Sequence, residues 1–157
     1  MNLALRAATP AEAGTLTQLC LRSKAVWGYD AAFMAACRAE LTITARDFDC
    51  SLIQVAVEGE RIIGMAQLAQ HGRIADIDKL FVDPAALRSG AGRKLFAWCV
   101  ETARNAGAVA ITVVGDPGAA GFYRKMGMMD DGKEPSGSIA DRMLPKFSMG
   151  LGATRAV

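Results

Sequence analysis

Histidine is nearly missing from this chain: His71 is alone among 157 residues. The four cysteines, Cys20, Cys37, Cys50 and Cys99, stand far apart with no C-x-x-C pair. No zinc-ligand set follows from such spacing, and no metal is expected. The same scarcity speaks against a thiol nucleophile. A reactive cysteine wants a basic partner, and His71 sits beside Gly72 in a turn. Three of the four cysteines neighbour apolar residues of helical pattern, where a reduced thiol packs as a small hydrophobe.

Long apolar runs are also lacking. None approaches the roughly 18 residues of a membrane span, so no membrane role is expected. Met1 to Pro10 holds Arg6 and no extended apolar stretch, unlike a secretory signal, which places the protein in the cytoplasm by default. Lysine and arginine are scattered, the net charge is only +2, and two Trp and two Tyr make few stacking platforms. No nucleic-acid partner is expected from that distribution. What remains is the composition of one globular domain: 52% apolar and 22% charged residues, enough to bury a core at this length. The domain is read as 1–150, with 151–157 a short tail.

Leu3 to Ala7 alternates weakly, as an edge strand does. Thr9-Pro10-Ala11-Glu12 then reads as a capping box with proline at the first helical position, opening a helix to about Arg22. Asp30 caps a second helix, Ala31 to Leu41, whose Phe33, Met34, Cys37 and Leu41 share one face. Leu52 to Val57 and Arg61 to Ala66 flank Glu58-Gly59-Glu60, a hairpin signature. A turn at His71-Gly72-Arg73 leads into a strand from Ile74 to Val82. Strict alternation there puts Ile74, Asp76, Asp78 and Leu80 on one face and Ala75, Ile77, Lys79 and Phe81 on the other. A helix from about Gly90 to Ala106, a strand Val109 to Val114, and a helix opened by Asp116-Pro117 follow. The tail reads as loop plus one closing strand around Lys146 to Met149. Helices, antiparallel strands and two strand–helix units make a mixed α+β sheet.

Leu87-Arg88-Ser89-Gly90-Ala91-Gly92-Arg93-Lys94 joins a strand to a helix. Unsatisfied N–H groups at a helix start suit a phosphate, and Arg88, Arg93 and Lys94 add charge. A tight turn needing glycine dihedrals would look the same, so both readings stand. Two commoner phosphate motifs are excluded: Leu95 occupies the third glycine of a dinucleotide fold, and Gly92 is followed by Arg93-Lys94 rather than Lys-Ser/Thr.

Leu80-Phe81-Val82-Asp83-Pro84, this loop and its helix resemble the acetyl-CoA motif of the GNAT N-acetyltransferase superfamily. The motif Gln/Arg-x-x-Gly-x-Gly/Ala is filled by Leu87-Arg88-Ser89-Gly90-Ala91-Gly92. A second block, Asp116 through Ala119, Phe122 and Tyr123 to Gly127, is similar to Asn-x-x-Ala-x-x-Phe-Tyr-x-x-x-Gly. Ser23-Lys24-Ala25-Val26-Trp27-Gly28-Tyr29, Ser136-Gly137-Ser138-Ile139 and Arg142 to Pro145 resemble an uncharacterised bacterial subfamily. Leu87, Asp116 and Met128 depart from the usual residues.

The resemblance implies a GNAT fold, α+β, with a mostly antiparallel sheet splayed between its fourth and fifth strands. Acetyl-CoA is the implied cosubstrate. Its pantetheine arm would lie in the splay beside Leu80, Phe81 and Val82, and its pyrophosphate on residues 87–94, with Asp116, Ala119 and Phe122 nearby. A primary amine would attack the thioester directly, and Tyr123 would protonate the leaving thiolate. A phenol of pKa ~10 against a thiol of ~8.5 makes that step uphill by about 2 kcal/mol. A Lys-like amine costs roughly 4.6 kcal/mol to neutralise at pH 7, so a base is wanted. Asp76 matches the position where the histone-modifying branch carries its glutamate base. It is one methylene shorter and so suited to a water relay, and Asp78 is beside it; a solvated acidic face is the plain alternative. Trp27, Tyr29, Ser136 and Arg142 would border the acceptor pocket, though the aromatic pair also suits a loop anchor. A non-catalytic acyl-CoA sensor is the rival function. Small-molecule and peptide amines both stay open as acceptors, and pairing through the last strands would give a homodimer.

Overall fold

A computed structural model describes residues 2–152 as seven strands and five α-helices. Residues 153–157 of the expected tail lie outside the described residues. Strand β1 (Leu3–Ala7) leads through a helical turn at Pro10–Glu12 into α1 (Ala13–Ala25). There Glu12 accepts from the Thr9 amide at 2.9 Å and holds Arg6 through two hydrogen bonds of 3.0 and 2.7 Å. Asp30 caps α2 (Ala31–Leu41) by accepting from the Phe33 amide at 2.8 Å. A short helix, α3 (Ala45–Cys50), precedes β2 (Leu52–Glu58), β3 (Arg61–His71) and β4 (Ile74–Val82). Then come α4 (Ala91–Asn105), β5 (Ala110–Val114), α5 (Ala120–Lys125), β6 (Met129–Pro135) and β7 (Met143–Gly150).

The sheet order is β1-β2-β3-β4-β5-β7-β6, antiparallel except for the β4–β5 pair. Each face carries its own core. Leu16, Leu19, Cys20, Cys37 and Leu41 of α1 and α2 meet Ile53, Val55 and Met65 on one side. Leu95, Phe96 and Cys99 of α4 meet Ile77, Ile111 and Phe147 on the other. In α4 the buried positions Ala91, Leu95, Phe96, Cys99 and Ala103 form one helical stripe, so the sequence periodicity sets which face turns inward.

Two features of β4 place the site. On its β3 side the register shifts, with Gln67 opposite Lys79 but Leu68 opposite Ile77, so Asp78 is an extra, bulged residue. On its β5 side the pairing ends at Ile77 opposite Val113. From Asp78 to Val82 the strand therefore has a free backbone edge where the sheet opens. The bulge also corrects the expected strict alternation. Ala75 and Ile77 face the α4 core, and after the extra residue so do Leu80 and Val82, while Phe81 faces α1 and α2. Asp76 and Leu80 do not share a face.

Candidate active site

A cavity of about 540 Å³ opens on the α4 side of the split. Leu80 and Val82 form its strand wall, and Leu87, Arg88, Ser89, Gly90, Ala91, Gly92 and Arg93 curl round its end. Ala119, Phe122 and Tyr123 close it from α5. Gly90 takes φ +90° at the N-cap of α4, a conformation that side chains resist. Gly92 is needed for another reason: a Cβ there would lie 3.2 Å from the Phe122 ring. The glycines thus serve the turn and the packing, and in doing so leave the α4 start open. The Ala91 amide is taken by Ser89 Oγ at 3.2 Å, and intrahelical bonding begins with the Lys94 amide on the Gly90 carbonyl at 3.1 Å. The Gly92 and Arg93 amides therefore lack helical partners. Arg88 itself holds φ +70°.

Three residues expected at this cavity lie elsewhere. Lys94 reaches back to donate to the Leu3 carbonyl at 3.2 Å. Phe81 turns to the opposite face, and Asp116 to a second cavity. Trp27, expected beside the acceptor, lines the large cavity instead, its ring lying where a Cβ on Gly118 would come within 2.7 Å.

The second cavity, about 100 Å³, lies across the split on the α1–α2 side. Asp78, Lys79 and Phe81 of β4 line it, with Gly115, Asp116, Ser136 and Arg142. Asp116 caps the turn at Pro117 by accepting from the Gly118 amide at 2.9 Å. Its other oxygen accepts from Tyr29 Oη at 2.7 Å and Lys24 Nζ at 3.1 Å, with Arg142 Nη2 at 3.5 Å. Arg142 donates to Tyr29 Oη at 2.6 Å, and its guanidinium lies over the stacked Tyr29 and Phe33 rings. Although burial opposes ionisation, these donors hold the Asp116 carboxyl below the usual carboxylate range. Tyr29 is therefore an anchor of this network, lining neither cavity. Ser136 Oγ is occupied locally, accepting from the Ser138 and Ile139 amides.

The two acids of β4 part company. Asp76 accepts from Thr112 Oγ1 on β5 and has His71 Nε2 at 3.6 Å, and it lines neither cavity. Asp78 sits at the bulge, in the recess. Loss of surrounding water pushes its carboxyl up, Asp76 and Asp47 add to the rise, and Lys79 and His71 oppose it.

Tyr123 is 4% exposed, its ring held between Phe122 and Phe147 at centroid distances of 5.3 and 5.6 Å. Burial drives the phenol pKa upward, and Cys99 adds to the rise. Gly115 makes room for the ring, since a Cβ there would come within 2.9 Å of Tyr123 Cε2.

A family model described as acetyltransferase (GNAT) family matches residues 20–128. The chain belongs to that family. No curated protein sequence matches it closely. Among solved structures it is similar to the PaiA N-acetyltransferase of Thermoplasma acidophilum in complex with coenzyme A, at 15% identity and TM-score 0.77 over 96% of this chain and 99% of that one. YncA of Salmonella typhimurium, solved with its cofactor acetyl-CoA, gives 19%, 0.70, 100% and 98%. The ribosomal-protein-S18-alanine N-acetyltransferase of Escherichia coli gives 11%, 0.72, 99% and 97%. At such identities the likeness is one of fold, and the GNAT fold with its open sheet is what they share.

Several residues that line the cavities are not assigned to the site from the sequence, although most lie in blocks that carry the resemblance. Ser23, Val26, Lys125 and Met126 line the large cavity, and Lys24, Cys37 and Glu40 the small one. Their positions depend on how α1, α2 and α5 lie against the sheet, which periodicity does not specify. Gly115 could have been suspected, because a glycine ending an apolar strand implies a close approach.

Proposed function

We propose that this protein is an acetyl-CoA-dependent N-acetyltransferase acting on a primary amine by direct attack in a ternary complex. One observation carries the reading. The stretch Asp78 to Val82 has a cavity on each side, with Leu80 and Val82 lining one and Asp78 and Phe81 the other. A donor and an acceptor can thus reach one strand edge from opposite faces. A coenzyme sensor needs only the first cavity, so the open second one favours transfer.

The residues present fit the coenzyme. Free amides at the α4 start, with Arg88 and Arg93, suit a pyrophosphate, and the apolar wall of Leu80, Val82, Ala119 and Phe122 suits a pantetheine arm. The unpaired edge of β4 offers backbone partners to the arm's amides. When bound, acetyl-CoA supplies an acyl group activated as a thioester. A backbone N–H along Leu80 to Val82 would stabilise charge developing on the carbonyl oxygen.

Asp78 is the better placed proton acceptor. Its recess borders the acceptor side, and its raised pKa brings it nearer an amine's. Asp76 acts on it through charge. Tyr123 would return a proton to the thiolate. Its raised pKa makes that step costlier than for an ordinary phenol, but the same dry surroundings would raise a thiolate formed there, narrowing the gap.

The test is thiol release from acetyl-CoA across a panel of amines. Replacing Tyr123→Phe should lower kcat by about 10²–10⁴-fold while the affinity for coenzyme A holds. An unchanged kcat would remove Tyr123 from the chemistry. Coenzyme binding without release from any amine would favour the sensor.

A further inference from the structure

We propose that the acceptor is a small amine bearing a carboxylate, of the amino-acid type, with its carboxylate against Lys24 and Arg142 and its amine toward Asp78. The inference rests on the transferase reading above and specifies what the second cavity takes. Its lining holds three cations, Lys24, Lys79 and Arg142, and three carboxylates, Glu40, Asp78 and Asp116. They are not evenly paired. Lys79 Nζ is engaged by Gln67 Oε1 at 3.2 Å. Lys24 and Arg142 share a single oxygen of Asp116, which also takes the Tyr29 hydroxyl. Two cations on one anion leave a positive pole, and both side chains are mostly enclosed, at 13% and 17% exposure. Among the described residues, Asp78, Glu40 and Lys79 have no salt-bridge partner. Asp78 is the carboxylate that β4 brings to this cavity, with Lys79 acting on it, while Glu40 lies beside Gly137.

A pocket polarised in this way suits an ammonium and a carboxylate on one molecule. A polyamine would set its second ammonium against Lys24 and Arg142. A lysine side chain of a protein would leave the positive pole unmatched. Arg142 is held by Tyr29 Oη and Asp116, with its guanidinium 5.0 and 4.8 Å from the Tyr29 and Phe33 ring centroids, so its position is set before any ligand arrives. The cavity's size, about 100 Å³, limits the occupant to a small head group.

Thiol release from acetyl-CoA would be measured with the full chain for the twenty amino acids, β-alanine and γ-aminobutyrate. Each is paired with its methyl ester and its decarboxylated amine, and spermidine and O-phosphoethanolamine complete the panel. We expect kcat/KM for at least one amino acid to exceed that of its ester and its decarboxylated amine by tenfold or more. Lys24→Met should shrink that ratio about tenfold. Arg142→Gln, read in the same ratio, is the second measure should the first variant fail to fold. Coenzyme A raising the melting temperature of each variant as in the parent reports that it is folded. Equal or better turnover of esters, spermidine or simple amines would overturn the proposal and leave the transferase standing. Preference for O-phosphoethanolamine would overturn the carboxylate. Coenzyme binding with no release from any compound would remove the transferase reading and this inference with it.

Discussion

At the residue scale, the chemistry of this site is set as much by glycines as by ionisable groups, and each glycine has its own reason. Gly90 supplies a left-handed dihedral, whereas Gly92 and Gly115 supply room for the rings of Phe122 and Tyr123. Gly115 bears most directly on transfer, because it lines the second cavity while its Cα backs the phenol that faces the first. Adding one methyl group would bring a carbon within 2.9 Å of Tyr123 Cε2, closer than carbon atoms pack, so the ring must shift. If Tyr123 acts as the proposed proton donor, its displacement costs rate rather than affinity. Gly115→Ala should therefore lower kcat on the order of tenfold or more, with the dissociation constant of coenzyme A little changed. Single-turnover rates and a coenzyme titration on the same preparation check it. A fall in affinity with unchanged kcat would show that Gly115 shapes the coenzyme wall instead.

At the element scale, the connection between α1 and α2 does more than close a loop. Lys24 at the end of α1, with Trp27 and Tyr29 of the connection, ties it to Asp116 and Gly118 ahead of α5 and to Arg142 just before β7. Three segments distant in sequence are thus fastened at the rim of the second cavity. Tyr29 is the bridge, donating to Asp116 and accepting from Arg142. Tyr29→Phe keeps the stacking on Phe33 but removes both hydrogen bonds. Asp116 retains Lys24 and Arg142, so the loss should be about 1–2 kcal/mol rather than that of an orphaned charge. It should appear as a lower urea midpoint at unchanged slope. Much of this fold was legible beforehand: the capped helices, the hairpin, the strand into the glycine loop. What escaped had physical reasons. Helix α3 is six residues long, too short for periodicity, and β6 (Met-Asp-Asp-Gly-Lys-Glu-Pro) is exposed throughout, so it shows no alternation. The bulge at Asp78 arises from pairing with β3, and no local pattern announces it. Consequently the glycine loop could be read as a unit from the chain alone, whereas the different surroundings of Asp76 and Asp78 could not.

At the scale of the whole molecule, the acids divide into those that favour the fold and one that opposes it, and pH separates them. Glu12, held by Arg6 and the Thr9 amide, is lowered to about 2, and Asp83 and Asp116 are lowered by their arginine, lysine, hydroxyl and amide partners. A depressed folded pKa means stability that is present above the unfolded value and lost as pH falls through the folded one. For Glu12 that window runs from about 4.5 down to about 2. Asp78 carries the opposite sign. Its folded pKa is raised, so its contribution is fully favourable below the unfolded pKa and is lost as pH climbs through the folded value. At pH 7 an ionised Asp78 therefore weighs against the fold. Asp78→Asn should remove that charge from the recess. Because Asp78 is an exposed residue whose charge solvent screens, the gain should be small, a rise in Tm on the order of 1–2 °C at pH 7 that vanishes near pH 3. The same variant should lose amine turnover while binding coenzyme A normally. Melting curves at pH 3, 5 and 7, run beside thiol-release assays at pH 7, check both halves. A variant destabilised at pH 7 would mean that Asp78 holds the bulge together, and its role in proton transfer would have to be given up.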